Sequence, residues 1–263
     1  MNDLMVAVLT GILQGLLEWL PVSSKSFLMI FFNSVLGIGE EQSYYTSIAL
    51  HLSTSLAAAL YFREEVLLVF KDKELLVKMA LACISSAIVG LPLYYVVTEA
   101  LFKSGATLSA IIGLFLVVTG LVLLLRAKAT SEGKLTMLTL KRSHYLLTGA
   151  VQGLSVVPGL SRSGLTVTAL LLLGAKADES MKTSFLMGIP VALAYSLFSF
   201  SKLSPAEAIP LDSILYASIL AFVISLGTIK LLLRAAEKLL WAYFLILFGT
   251  LALLLNALVA LLG

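Results

Sequence analysis

The chain has 263 residues, of which 60% are hydrophobic and only 13% charged, against roughly 45–50% and about 25% in soluble domains. One soluble core cannot absorb that surplus, so the excess apolar surface must meet another apolar phase, and a lipid bilayer supplies it. A net charge of +3, with the basic residues in short loops, excludes a nucleic-acid footprint, and the lone Cys83 in its apolar run excludes an intramolecular disulfide and a cysteine-based metal site.

At the N-terminus, Met1-Asn-Asp-Leu-Met carries no basic region, and Gln14 and Glu18 interrupt the apolar stretch that follows. The segment is expected to be retained structure, not a secretory signal. A helix needs about 20 mostly apolar residues to cross a hydrocarbon core of roughly 30 Å. Six stretches qualify: approximately Tyr45–Phe62, Leu75–Val97, Leu108–Arg126, Ser184–Phe200, Ile214–Leu233 and Leu239–Leu262. Two further apolar regions, Leu4–Leu36 and Tyr145–Gly174, are broken near the middle, by Pro21-Val-Ser-Ser-Lys-Ser and by Pro158-Gly-Leu-Ser-Arg-Ser-Gly. Proline and glycine break helices, and non-helical backbone persists at membrane depth only where protein or a water-filled cavity satisfies it. Both regions are therefore expected to be re-entrant helix–loop–helix hairpins.

The two interrupted regions also resemble each other. Thr10-Gly-Ile-Leu-Gln-Gly-Leu aligns with Thr148-Gly-Ala-Val-Gln-Gly-Leu, and each leads into a proline-serine break. This predicts an internal repeat, with copies at about 4–126 and 145–262 of a single integral membrane domain spanning 1–263. One hairpin plus three spans is an odd number of crossings, which inverts the second copy relative to the first. The expected fold is an all-α polytopic membrane protein, with about six transmembrane helices and two re-entrant hairpins in an inverted-topology repeat. Loop charge gives the orientation, because cytoplasmic loops are rich in Lys and Arg. With the N-terminus outside, the inner loops carry Arg63, Lys71, Lys73, Lys128, Lys134, Lys141, Arg142, Lys176, Lys182, Arg234 and Lys238, and the outer loops only Lys103 and Lys202. Both termini are expected outside a plasma membrane, with the hairpins approaching the midplane from opposite sides.

Charges in the hairpin breaks would each be penalised by at least about 2.5–3.5 kcal/mol at the bilayer centre, so they should line a polar cavity. Glu18 and Lys25 come from the first hairpin and Arg162 from the second. Where the tips meet, they would share a pocket with Ser23, Ser24, Ser26, Ser161, Ser163 and Thr166. A hydroxyl-rich, cation-bearing pocket suits a phosphate-type anion: guanidinium forks onto phosphate oxygens, and hydroxyls, backbone N–H groups and helix N-termini add to it. Gln14 and Glu18, four residues apart, share one helical face. A carboxylate beside a polyphosphate acts through a bridging divalent metal or as an acid or base on a nearby hydroxyl, and both readings stay open here.

These residues carry a specific resemblance. Gln14-Gly-Leu-Leu-Glu18, its continuation Trp-Leu-Pro-Val-Ser-Ser, and Pro158-Gly-Leu-Ser-Arg-Ser-Gly-Leu-Thr166 are similar to the two motifs of the undecaprenyl-pyrophosphate phosphatase (bacitracin-resistance) family. The similarity runs from about Leu4 to Leu254. The resemblance implies hydrolysis of a polyprenyl pyrophosphate to the monophosphate and inorganic phosphate, recycling a lipid carrier for cell-envelope glycan synthesis, with a divalent cation, Mg²⁺ or Ca²⁺. By the same resemblance, Arg162 would clamp the pyrophosphate and stabilise transition-state charge, Ser161 and Thr166 would hold phosphate oxygens, and Gln14 and Glu18 would organise the metal or the proton transfers. Gly159, within the second motif, joins the substrate-binding set. Ser24 matches the serine proposed as the family's nucleophile; attack by an activated water is the alternative, and the sequence does not choose. The family continues its paired serines with x-Gly-His, whereas here Lys25-Ser26-Phe27 follow, so Phe27 stands in the histidine's place.

Simpler roles compete for several residues. Serines in broken helices satisfy backbone groups, and Lys25 is as readily an interface-snorkelling residue as a pocket cation. His51 reads as a hydrogen-bonded packing residue beside Ser53, Thr54 and Ser55, and enters the chemistry only if it faces the pocket. Rival functions are a transporter or flippase for a lipid phosphate or small anion, which shares the inverted-repeat architecture, and a lipid binder without catalysis. The bilayer and the pyrophosphate lipid are the expected partners, and a homodimer is left open.

Overall fold

The structure is a computed structural model that describes residues 2–102, 108–128, 133–204, 209–235 and 240–262. Lys103, Lys238 and Leu239 lie outside the described residues. Among those described, the architecture is helical, with one isolated bridge between Leu135 and Ala175. Helix α1 (Asp3–Leu17) starts where Asn2 Oδ1 accepts from the Met5 N–H at 2.8 Å, with Asp3 favourably placed in the first turn. It stops just before Trp19-Leu-Pro21. After the break, α2 (Ser24–Ile30) runs into a π-helical turn over Phe31–Val35. Then come α3 (Glu40–Ala49), α4 (His51–Tyr61), the short α5 (Arg63–Lys71), α6 (Lys73–Phe102) and α7 (Leu108–Lys128). The second half holds α8 (Arg142–Gly153), a 3₁₀ turn at Leu154–Val156, α9 (Arg162–Leu172), α10 (Ala177–Phe200), α11 (Leu211–Ala235) and α12 (Leu240–Leu262).

Lys73–Ala100, Leu108–Leu125, Ala177–Phe200 and Leu211–Ala235 are long and apolar enough to span a bilayer. Large apolar side chains such as Ile88 and Leu91 on α6, Ile219 on α11 and Leu247 on α12 are exposed, as lipid-facing residues must be. The chain is thus a polytopic membrane protein. One expected element differs: Tyr45–Phe62 is not a single helix. The helix begins earlier, at Glu40, and is interrupted at Leu50. Around that point side chains take up the carbonyls of the helical ladder. Ser47 Oγ donates to Tyr44 O (2.7 Å), His51 Nδ1 to Ser47 O (2.8 Å) and Ser53 Oγ to Leu50 O (2.7 Å).

The Thr-Gly-x-x-Gln-Gly segments pack alike. On α1, a Cβ at Gly11 would lie 2.8 Å from Ala217 O and one at Gly15 3.0 Å from Ala221 O, both on α11. On α8, a Cβ at Gly149 would overlap Ala82 O and one at Gly153 would lie 2.7 Å from Ser86 O, both on α6. The glycines let the backbones meet, as small residues spaced by three do between membrane helices. In the same way α7 lies along α12, with Gly113 and Gly249 against each other's carbonyls. Three of the basic loops also gather at one end: Arg142 forks onto Glu74 (3.0 and 2.6 Å), Lys78 Nζ donates to Leu138 O, and the Met137 N–H to Glu179 Oε2.

Both breaks are anchored in one buried apolar cluster, which takes Leu20 and Val22 from the first and Val157 and Leu160 from the second. They also touch each other directly. Ser26 Oγ accepts the Gly159 N–H at 2.5 Å and is hydrogen-bonded to Ser23 Oγ at 2.8 Å.

Candidate functional site

A cavity of about 460 Å³ lies where the two breaks meet. Of the residues singled out in sequence, Glu18, Ser23, Ser24, Lys25, Ser161, Arg162 and Ser163 line it, and so do His51 and Tyr195. Beyond this polar floor, Leu91, Tyr94 and Tyr95 of α6 face Val191, Tyr195 and Phe198 of α10. Tyr95 and Leu91 at its rim are 69% and 61% exposed on the apolar girth of the molecule, so the cavity opens sideways between two spans.

Glu18 is the hub of the floor. It caps the C-terminal end of α1, its side chain 9% exposed, and both carboxylate oxygens are engaged. Arg162 Nη2 donates to Oε1 at 3.2 Å; Ser24 Oγ donates to Oε2 at 2.8 Å, and Gln14 Nε2 to the same oxygen at 3.3 Å. His51 Nε2 lies 3.2 Å from Oε2 and 3.3 Å from Ser24 Oγ. Because a carbonyl only accepts, the His51 Nδ1 on Ser47 O carries a proton, which turns Nε2 toward Ser24 and Glu18. Ser24 Oγ, His51 Nε2 and Glu18 Oε2 therefore form a triangle around the hydroxyl proton, and an acceptor for it is present whichever way the serine turns.

Local backbone explains how Ser24 gets there. Ser23 has φ 57°, ψ 72°, a left-handed conformation that costs a non-glycine residue about 1–3 kcal/mol, and it turns the chain so that α2 begins at Ser24 beside Glu18. In the second break Gly159 has φ +98°, and a Cβ there would sit 2.5 Å from Phe115 Cβ and 2.8 Å from Ile112 O on α7. Only glycine fits. Thr119 of α7 holds that turn, donating to Gly159 O at 2.7 Å and accepting the Ser161 N–H at 3.3 Å. Ser161 then caps α9 through the Gly164 N–H, which leaves Arg162 and Ser163 in the first turn of a helix whose N-terminus favours anions. Arg162 is steadied further by Ser184 O (3.3 Å) and by the Phe185 ring, 5.3 Å away.

Other expected residues lie behind this surface. Gln14 is buried and bridges Glu18 to Thr54 Oγ1 at 3.2 Å. Ser26 and Gly159 are spent on each other, and Thr166 is bonded to Arg162 O and, at 2.6 Å, to Ser184 Oγ. None of the four lines the cavity. Lys25 does not snorkel to an interface: it is 6% exposed, and its Nζ donates to Ser155 O (2.9 Å) and Val156 O (2.6 Å) of the second break. Phe27 stacks on Phe244 and Phe248 of α12, with centroids at 6.2 and 5.2 Å. The place where the family motif has histidine is thus an aromatic packing position here, and the imidazole at the site comes from His51. Sequence reading weighed His51 as a packing residue unless it faced the pocket, which it does, and passed over Thr119, Ser184 and Phe185. Those three lie on α7 and α10, outside either motif, and buried polar residues within apolar spans were the only signal for Thr119 and Ser184.

Among the described residues, no three His, Cys, Asp or Glu side chains converge. Glu18 is the single carboxylate of the floor, with the unpartnered, buried Gln14 Oε1 behind it. That donor set suits a hard cation bound mostly by phosphate oxygens and water, as Mg²⁺ is, and not one held in a protein-only cage.

The chain is similar to known proteins over most of its length. A family described as Bacitracin resistance protein BacA matches residues 7–254. The undecaprenyl-diphosphatase of Methanothrix thermoacetophila is 34% identical over 97% of this chain and 98% of its own. The proteins of that name from Pyrobaculum aerophilum and Sulfurisphaera tokodaii are 37% and 34% identical over 90% of this chain, and over 91% and 90% of their own.

Proposed function

The chain belongs to the bacitracin resistance protein BacA family, and we propose that it is a membrane phosphatase converting undecaprenyl pyrophosphate to the monophosphate and inorganic phosphate. The observation that carries this reading is the Ser24–Glu18–His51–Arg162 cluster on the floor of a cavity whose walls are apolar and open to lipid. The headgroup would enter over the floor while the prenyl tail lies between α6 and α10 and stays in the bilayer.

In this mechanism Ser24 Oγ attacks the terminal phosphorus. Its proton passes to His51 Nε2, while Glu18 stabilises the imidazolium and orients Arg162. Arg162 and the α9 N-terminus balance charge on the phosphoryl oxygens. The Oγ–P bond forms as the phosphoanhydride bond breaks, and the electron pair leaves on the bridging oxygen of the lipid monophosphate. His51 passes that proton to the departing monophosphate; water then gives a proton to the freed Nε2 as it attacks the phosphoserine, and the same proton returns to Ser24 Oγ as the Oγ–P bond breaks and inorganic phosphate leaves. A divalent cation would be held by Glu18, with Gln14 behind it and off the cavity, and would supply charge neutralisation to the phosphates.

The architecture extends the reading. The matching Gly11/Gly15 and Gly149/Gly153 contacts support an inverted repeat of two re-entrant hairpins, and the clustered basic loops support both termini outside. The experiment is phosphate release from a C55 polyprenyl pyrophosphate by detergent-purified protein, with Mg²⁺, with Ca²⁺ and with chelator, beside Arg162→Ala. Cation-dependent release that collapses in the variant is expected. Folded protein that releases nothing with either cation would move the function to transport or binding.

A further inference from the structure

On the phosphatase reading above, we infer that Lys25 is the second cation of the site: it binds the phosphate that stays on the lipid, and through it this chain distinguishes a pyrophosphate from a monophosphate. The cavity has two basic side chains of different standing. Arg162 meets its counter-charge within the protein, at Glu18 Oε1. Lys25 is as deeply buried, yet among the described residues no carboxylate lies within 4.0 Å of its amine. Its partners are two neutral carbonyls, Ser155 O and Val156 O, and the face of the Tyr44 ring at 5.4 Å. Tyr44 is itself fixed, its hydroxyl bonded to the Tyr195 hydroxyl and to Val156 O.

A buried ammonium surrounded by neutral dipoles lacks a counter-ion, and that shortfall is relieved when an anion enters the cavity it lines. An ammonium has three N–H donors and the carbonyls use two, so one remains for a phosphate oxygen. The same carbonyls hold the amine against the second break, on contacts separate from those that make the Ser24 triangle. When the terminal phosphate sits over Ser24 and Arg162, the adjoining phosphate is the group left for Lys25. That phosphate gains charge as the phosphoanhydride bond breaks, so Lys25 also stabilises the leaving group. The product monophosphate engages one cation where the substrate engages two, which favours its release.

The test measures binding without turnover. In Ser24→Ala protein in detergent, dissociation constants are measured for farnesyl pyrophosphate and farnesyl monophosphate, with and without Lys25→Gln. Glutamine keeps a donor for the Ser155 and Val156 carbonyls but carries no charge. Pyrophosphate affinity is expected to fall about tenfold or more while monophosphate affinity changes by less than about threefold, and Lys25→Arg should restore the preference. Equal losses for both ligands, or no loss, would show that Lys25 only braces the second break and would overturn the assignment. If Lys25→Gln does not fold, Lys25→Ser, in which water can reach the two carbonyls, serves the same comparison. Failure of the phosphatase reading looks different: wild-type protein then releases no phosphate with either cation, whatever the two dissociation constants are.

Discussion

Replacing His51 is the sharpest check on the proposed chemistry, because this residue reached the site through the fold and not through a motif. In His51→Ala the imidazole that lies 3.3 Å from Ser24 Oγ is removed, while Glu18 Oε2 stays 2.8 Å from the same hydroxyl. Loss of a general base lowers rates by roughly 10²–10⁴-fold. The surviving carboxylate is a second acceptor, so the lower end applies: about 10²-fold in kcat, or about 2.7 kcal/mol of transition-state stabilisation. Arg162 and the hydroxyls that hold the phosphates are untouched, so KM should move less than about threefold. Initial rates of phosphate release across a range of C55 pyrophosphate concentrations separate the two parameters, and a melting curve controls for folding. A kcat within about threefold of the parent, or a loss confined to KM, would refute the assignment and return His51 to packing. Phe27→Ala makes the converse comparison. It removes the stack on Phe244 and Phe248 and should lower the melting temperature while leaving kcat nearly unchanged.

Arg162→Ala should lower kcat/KM by about 10³-fold and destabilise the fold by about 3 kcal/mol, because Glu18 is left buried without its guanidinium; activity and thermal denaturation read these separately. Ser24→Ala should abolish a phospho-enzyme trapped by acid quench from terminally labelled substrate, and a labelled intermediate persisting in this variant would exclude Ser24 as nucleophile. Gly149→Leu should separate α8 from α6 and sharply lower the yield of folded protein, whereas Gly39→Ala, with no atom within 4 Å of the added Cβ, should behave as wild type in size-exclusion chromatography. Chelation should lower activity without shifting the melting temperature much, because a cation held mainly by substrate phosphates adds little to the empty fold.

The breaks were legible because a bilayer tolerates proline, glycine and charge within an apolar run only where protein or water satisfies the freed backbone, and the helices do stop at Glu18 and resume at Ser24, and stop again before Ser161. The repeated Thr-Gly-x-x-Gln-Gly segment was legible for a related reason: its glycines are where helices touch, and contact between backbones tolerates few alternatives. The interruption at Leu50 was not legible. It arises from Ser47, His51 and Ser53 each choosing a local carbonyl, a competition that hydropathy does not register. Nor could a motif separate the hydroxyls that face the cavity from those that hold the backbone. Ser24 and Ser26 are two residues apart, yet one meets Glu18 and the other the Gly159 N–H.

That division of labour explains how so polar a site is tolerated among spanning helices. Each charge that the bilayer would penalise has polar partners in the floor: Glu18 has Arg162, Gln14 and Ser24, and Lys25 has two carbonyls of the 3₁₀ turn where the α-helical ladder of the second break ends. The first break supplies the carboxylate, the serine and the amine; the second supplies the guanidinium, the anion-favouring helix end and the open carbonyls. Neither is complete alone, since removing the second would leave Glu18 without its guanidinium and Lys25 without its acceptors. The pairing that makes the breaks stable is therefore the same pairing that assembles the chemistry. A substitution at the seam that leaves both helices intact, such as Ser26→Val, is accordingly expected to cost activity and stability together, because it orphans the Gly159 N–H and frees the strained Ser23. Loss of activity at an unchanged melting temperature would instead place Ser26 on the substrate.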